Sequence, residues 1–203
     1  MAEVSKVAQE EHTEEHATSL GLDNRKLMMW VFLASETLFF GSLISTYMVF
    51  RGKSLVGPYP EDIFNIPYTS VSAFVLLMSS LTMVLALSAL QHGDQRRTRI
   101  WIMATALLGA VFLGGQVFEF TTFVHHGLTL STNVFGSSFF VLTGFHGAHV
   151  TIGVIMLLSL YGLSHMGRLP RERSLNLELV GLYWHFVDIV WIVIFTVVYL
   201  LPS

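Results

Sequence analysis

Four polar side chains interrupt two stretches of the chain that are otherwise apolar. His146 and His149 lie within "GFHGAHVTIG" (144–153), and His185 and Asp188 lie within "YWHFVDIVW" (183–191). Residues three apart share one face of an α-helix, so each pair can act together. Such groups can ligate a metal, pass protons or hydrogen-bond between helices. An acid in the middle of a membrane helix costs about 2.5–3.5 kcal/mol on insertion scales, so it needs a partner or a function.

Further polar and aromatic residues extend this set. Glu36 is another acid inside an apolar stretch, and Trp184 and Trp191 share a helical stripe with Asp188. A carboxylate one helical turn from an imidazole can accept its ring N–H, which makes His185 the expected partner of Asp188. A neutral acid, or one paired with a group outside the chain, is the alternative. Glu119 lies nearer the end of its stretch, where the default expectation is contact with the surface or with lipid headgroups. It is also a candidate, with His146, His149, His185, Asp188, Trp184 and Trp191, for an intramembrane polar network or lipid cleft.

Composition places these residues in a membrane protein. The 203 residues are 53% hydrophobic and 12% charged, whereas a soluble domain is about 25% charged. A bilayer-spanning helix needs about 20 apolar residues. The sequence therefore predicts an all-α, polytopic membrane protein with a polar N-terminal tail over 1–26 and a transmembrane domain over 27–203. Its five helices are expected at about 27–50, 68–91, 99–125, 136–165 and 179–201.

Composition also excludes several functions. The chain has no cysteine, which excludes disulfides, thiolate metal sites and iron–sulfur ligation. Its net charge of −3 gives no reason to expect a nucleic-acid partner. No internal repeat supports a duplicated transporter fold. Nine of the eleven Lys and Arg residues fall on alternate connecting segments, beginning with the N-terminal tail. Because cytoplasmic loops retain Lys and Arg, we expect the N-terminus in the cytoplasm and the C-terminus outside.

Three interpretations of the polar set remain open from the residues alone. His146, His149, His185 and Asp188 are suitable in type for a metal or heme site, but no histidines are spaced as in di-heme helix bundles. A proton relay could pass through Glu36, His146 or Asp188. An interhelical hydrogen-bond network or a subunit contact is the third interpretation. For Trp184 and Trp191, packing or anchoring at the membrane edge competes with cofactor stacking.

Three motifs in order carry a resemblance to a known family. "SETLFFGS" (35–42), "GSSFFVLTGFHGAHVTIG" (136–153) and "YWHFVDIVWIVIFTVVYL" (183–200) resemble subunit III of the heme–copper oxygen reductases, the cytochrome c oxidase family, in its short five-helix bacterial form. The resemblance implies a non-redox subunit in the bacterial plasma membrane, which stabilises the catalytic subunit, binds phospholipid and supports proton uptake. Heme and copper would belong to partner subunits I and II, and this chain would hold no metal and no catalytic residue.

The resemblance also assigns roles to individual residues. Glu36 matches a buried acid that reacts with carbodiimides, and His146, His149, His185 and Asp188 match polar helix positions that are not metal ligands. Mitochondrial members have a phosphate-binding arginine where Leu163 stands here, so His165 or Arg168 would have to replace that headgroup contact. Phe145 favours cytochrome c over quinol as electron donor. A quinol oxidase subunit, a nitric oxide reductase accessory protein and a stand-alone proton-linked transporter remain alternatives.

Overall fold

The computed structural model describes residues 23–51, 53 and 65–201, and its architecture there is all-α. Five helices in this part of the chain are long and apolar enough to cross a membrane. This confirms the predicted fold class. The helices are α1 (Asn24–Phe50), α2 (Ile66–Gln91), α3 (Gln95–His125), α4 (Val134–His165) and α5 (Ser174–Phe195). A short 3₁₀ helix (Arg171–Arg173) precedes α5, and a π-helix (Thr196–Leu200) continues it.

Every helix begins a few residues before its predicted start, because hydropathy marks only its apolar part. The side chains of Asn65, Asp94 and Asn133 cap α2, α3 and α4 by accepting a hydrogen bond from a backbone N–H in the first turn. These caps belong to the polar connections and satisfy N–H groups that a helix leaves unpaired at its start. The polar tail predicted over 1–26 lies mostly outside the described residues, and α1 begins within its last few positions.

The turns after α2, α3 and α4 share one conformation. Each contains a glycine with positive φ, at 80° for Gly93, 85° for Gly127 and 68° for Gly167. In each turn the residue after the glycine donates its N–H back to a carbonyl of the last helical turn, as Asp94 does to Ala89 at 2.9 Å. This is the Schellman arrangement, which ends a helix while satisfying its last carbonyls.

The chain divides into two compact units inside α1, at the Leu38–Phe39 boundary. Within the second unit, α2 packs against α3, α3 against α4, α4 against α5, and α5 back against α2. These four helices therefore form a closed ring of neighbours around a largely aromatic core. The largest fully buried side chains of the described residues include Trp184, Trp191, Tyr47, Phe40, Phe112, Phe123, Phe135 and Phe139.

Arg51 closes the C-terminal end of the last span. Its guanidinium donates to the carbonyl of Val197 at 3.4 Å and also to that of Leu201. A π-helix offsets the regular hydrogen-bond pattern, and helix ends leave carbonyls without intrahelical donors. Arg51 therefore supplies donors where the last helix lacks them.

Candidate functional site

The aromatic residues of the α5 stripe face the interior of the helix ring. Trp184, Asp188 and Trp191 have 0%, 2% and 2% of their surface exposed. These three residues therefore form a buried face of α5. Such burial places both tryptophans in the protein core, away from the lipid.

Trp184 is held by three other helices. Its indole N–H donates to the hydroxyl of Ser79 on α2 at 2.9 Å. A Cβ added to Gly109 of α3 would lie 2.5 Å from the ring atom Cη2, and one added to Gly153 of α4 would lie 2.7 Å from Cε3. The ring therefore occupies a slot that exists because both positions lack a side chain. Packing of this kind, together with hydrogen bonds, drives helix association in lipid.

Ser80 joins the two polar residues of "YWHFVDIVW". Its hydroxyl donates to Oδ2 of Asp188 and lies 3.0 Å from Nδ1 of His185. Within the described residues neither group bonds the other, so the predicted direct pair is wrong. Ser80 follows Ser79 on α2, and both residues face α5 across the helix contact. The pair "SS" near the middle of α2 was the available signal, since hydroxyls in lipid need partners.

His146 and His149 share a helix but have different surroundings. The imidazole of His146 is fully buried and stacks on Trp191, with ring centroids 5.0 Å apart and planes 23° apart. Phe112 meets both rings edge-on. Neither nitrogen of His146 has a hydrogen-bond partner among the residues that the structure describes. The surroundings of this ring are therefore aromatic.

His149 is only partly buried, whereas His146 is fully buried. Its Nδ1 donates to the carbonyl of Phe145 one turn earlier, at 2.7 Å, and its own carbonyl accepts the hydroxyl of Tyr183 at 3.0 Å. Phe40 contacts its ring edge-on, with centroids 5.0 Å apart. His149 thus takes part in contacts among three helices.

Glu119 is buried, which corrects the expectation of surface contact. Only 7% of its surface is exposed, and its carboxylate accepts the hydroxyl of Thr69 on α2 at 2.7 Å. The phenol of Tyr199, in the π-helix, also hydrogen-bonds to it. Glu119 therefore connects α2, α3 and the end of the last span. One turn earlier, Gln116 donates to the carbonyl of Thr143 on α4 at 2.9 Å.

The remaining predicted residues are Glu36, His165 and Arg168. Glu36 belongs to the first unit and is partly buried. His165 and Arg168 are exposed at and just after the end of α4, where the ring of His165 packs edge-on against Tyr161. Their exposure leaves the headgroup contact a prediction. Over the described ranges, no group of three His, Asp or Glu residues could hold a metal ion.

The sequence predicted the principal polar residues of the network but not their hydrogen-bond partners on other helices. The missed set comprises Ser79, Ser80, Thr69, Tyr199, Gln116 and Arg51. Each supplies a hydroxyl, an amide or a guanidinium to a group on another helix. The arrangement as a whole can hold helices in register at mid-helix and near the C-terminal end of the last span.

Comparison with known proteins gives a consistent family. The family model described as cytochrome c oxidase subunit III matches residues 3–203. Cytochrome c oxidase subunit 3 of Bacillus sp. (strain PS3) is 39% identical over 93% of this chain and 90% of its own length. Quinol oxidase subunit 3 of Bacillus subtilis is 40% identical over 86% of each chain. Cytochrome bo(3) ubiquinol oxidase subunit 3 of Pseudomonas aeruginosa is 37% identical over 95% of this chain and 91% of its own.

Proposed function

Because the chain belongs to the cytochrome c oxidase subunit III family, we propose that it is the non-redox subunit III of a proton-pumping terminal oxidase. It flanks and stabilises the catalytic subunit while that subunit reduces oxygen to water. Its partners are subunit I, which carries the heme–copper centre, and subunit II. The chain itself has no catalytic centre and no metal.

The use of the intramembrane polar groups is the observation that carries this proposal. Trp184 bonds Ser79, Asp188 bonds Ser80, and Glu119 bonds Thr69, in each case across two helices. Groups that bind substrate or metal would point into one cavity, but each of these groups hydrogen-bonds to a neighbouring helix. A polar group satisfied in this way lowers the cost of its own burial and fixes helix register. This supports a structural subunit.

Orientation and lipid contact follow from the distribution of charge. The chain lies in the bacterial plasma membrane with its N-terminus in the cytoplasm and its C-terminus outside. Arg168 and His165 are exposed beside the turn after α4, at the basic end of the bundle. They bind a phospholipid headgroup there, since Arg and protonated His donate hydrogen bonds to phosphate.

The electron donor is cytochrome c. Phe145 supports this assignment through the family resemblance of "GFHG". Relatives named for quinol oxidases match at nearly the same identity as those named for cytochrome c oxidases, so a quinol oxidase is the second candidate. Oxygen uptake by the purified complex separates the two. Reduced cytochrome c should support turnover, and turnover on quinol alone would assign the second function.

The proposed role is tested by removing the chain from the complex. An oxidase stripped of this subunit should begin at nearly its normal rate, then take up protons more slowly and inactivate sooner. Glu36→Gln in the intact complex should abolish labelling by a hydrophobic carbodiimide and leave the initial rate close to normal. A collapse of initial turnover with hemes in place, in either experiment, would show that this chain takes part in the chemistry.

A further inference from the structure

One polar residue of the network reaches the outside of the helix ring. His185 is half-buried, whereas its neighbours Trp184 and Asp188 are almost fully buried. Its Nδ1 lies 3.0 Å from the hydroxyl of Ser80. In the described part of the chain, its Nε2 has no hydrogen-bond partner. One nitrogen of this half-exposed ring is therefore used inside the chain, and the other is available to a group outside it.

The depth of His185 makes this nitrogen costly to leave unpaired. The last span covers 171–200, so His185 is its fifteenth residue of 30. Ser80 is the fifteenth residue of the 26 in α2. Both positions lie near the centre of a hydrocarbon layer about 30 Å thick. Water is absent there, and an acyl chain can neither donate nor accept a hydrogen bond. A lipid headgroup would have to reach about 15 Å inward from either interface.

The surface around this nitrogen is apolar. On α5, Ile189 and Ile192 share a stripe with His185 and are 60% and 45% exposed. On α2, Leu77 and Val84 share a stripe with Ser80 and are 37% and 52% exposed. Contact between Ser80 and His185 brings the two stripes side by side. We call this surface the His185 face: Leu77, Val84, His185, Ile189 and Ile192.

We propose that the His185 face docks a transmembrane helix of the heme-bearing oxidase subunit, which hydrogen-bonds Nε2 of His185 through a hydroxyl or carboxamide side chain. This proposal rests on the proposed function. An apolar face with one polar atom at its centre matches an apolar helix that carries one polar side chain at the same depth. Lipid acyl chains can cover the apolar side chains of this surface, but they leave Nε2 without a hydrogen bond.

The hydrogen-bond chemistry of the Ser80 bridge sets the type of partner. The hydroxyl of Ser80 has one proton. When it donates to an ionised Asp188, the Nδ1–H of His185 donates to Ser80, and Nε2 is an acceptor. When Asp188 is protonated, the chain of bonds reverses and Nε2–H becomes a donor. A hydroxyl or a carboxamide can hydrogen-bond to Nε2 in either state, because each can donate and accept.

A second copy of this chain fits less well than a different subunit. A symmetric dimer with its axis at His185 would bring the same Nε2 atom against itself. Two identical tautomers present donor against donor or acceptor against acceptor. The face is therefore better matched by a helix of different sequence.

Photo-crosslinking in the intact complex tests this assignment. A benzophenone amino acid replaces Ile189 on the His185 face, and in a control it replaces Val111 on α3. Val111 is 55% exposed, is the seventeenth residue of its 31-residue helix, and lies diagonally across the helix ring. After irradiation of native membranes, the Ile189 probe should give an adduct with the heme-bearing subunit, identified by mass, and the Val111 probe should give none.

Several outcomes would overturn the proposal. Adducts of the Ile189 probe with lipid alone, or with a second copy of this chain, would assign the face to those occupants. Capture of the heme-bearing subunit by the Val111 probe alone would place the interface elsewhere. If the complex purifies with its hemes and the Ile189 probe misses every partner, the docking proposal fails and the proposed function stands. If no heme-bearing protein accompanies any variant, both fail.

A substitution separates the outer hydrogen bond from the inner one. His185→Asn keeps an amide near the position of Nδ1, so the contact with Ser80 is retained, but it does not reach the position of Nε2. The variant should leave the complex about two- to tenfold faster in detergent, which corresponds to one hydrogen bond. His185→Gln, whose amide reaches further, should restore part of the retention. Equal retention of Asn, Gln and wild-type proteins would contradict a bond at Nε2.

Discussion

The slot around Trp184 gives the sharpest test of how the helices are held together. A Cβ at Gly109 would lie 2.5 Å from Cη2 and 2.9 Å from Cζ2 of the indole. Carbon atoms normally pack at about 3.5–4.0 Å, so in Gly109→Ala the new Cβ and the indole must move apart by about 1 Å. Trp184 cannot yield freely, because Gly153 and Ser79 hold its other sides. Overpacking of this kind costs about 1–3 kcal/mol.

Gly114→Ala is the matched control on the same helix. Nothing lies within 4 Å of a Cβ at that position, and both substitutions gain the same helix propensity, about 1 kcal/mol. The difference between the two variants therefore isolates the clash. We expect Gly109→Ala to have a free energy of unfolding about 1–3 kcal/mol below that of Gly114→Ala. In a chain of this size the difference in Tm should be about 2–12 °C.

The assay is unfolding in detergent, followed by tryptophan fluorescence and circular dichroism. A background of Trp184→Phe adds a double-mutant cycle, since the smaller ring vacates much of the slot. In that background the difference between the two alanine variants should shrink to within about 0.5 kcal/mol. Equal stability of Gly109→Ala and Gly114→Ala in the wild-type background would refute the role of the slot.

Three further experiments test the polar network. Ser80→Ala should lower the free energy of unfolding by about 1–3 kcal/mol, because it leaves Asp188 buried without its hydroxyl donor. The double variant with Asp188→Leu should lose less free energy of unfolding than Ser80→Ala alone. A larger loss in the double variant would contradict the bridge. Glu119→Leu should lower Tm more than Glu119→Gln, because the amide retains an acceptor for the two hydroxyls; equal Tm values would remove the carboxylate from the network. Arg51→Met should increase amide hydrogen exchange over 196–201 and leave the middle of α5 unchanged, and unaltered exchange would show that the guanidinium does not hold the last turn.

Most of the fold could be predicted because hydropathy reports membrane spans directly. Each helix was found, and the errors lie at starts such as Ile66 and Gln95, where polar caps outside the apolar stretch set the boundary. Spacing also placed Trp184, Asp188 and Trp191 on one stripe of α5, but it did not say that the stripe is buried. The presence of a membrane helix can thus be predicted from hydropathy, while its ends depend on local capping.

The partners of the site residues could not be predicted, because they come from other helices. Same-helix spacing suggested His185 for Asp188, but the structure supplies Ser80 from α2. Position near a helix end suggested an exposed Glu119, but Thr69 and the returning C-terminal segment bury it. Spacing defines faces along one helix. It does not state which helix lies against a face, and that depends on packing.

The measurement that tests the account most directly is purification from the native membrane through an affinity tag on this chain. The account predicts that the chain elutes with two larger subunits and a fixed ratio of heme to chain, and that the complex consumes oxygen. A chain that elutes alone, without heme and without loss of oxygen consumption in the remaining membranes, would contradict it.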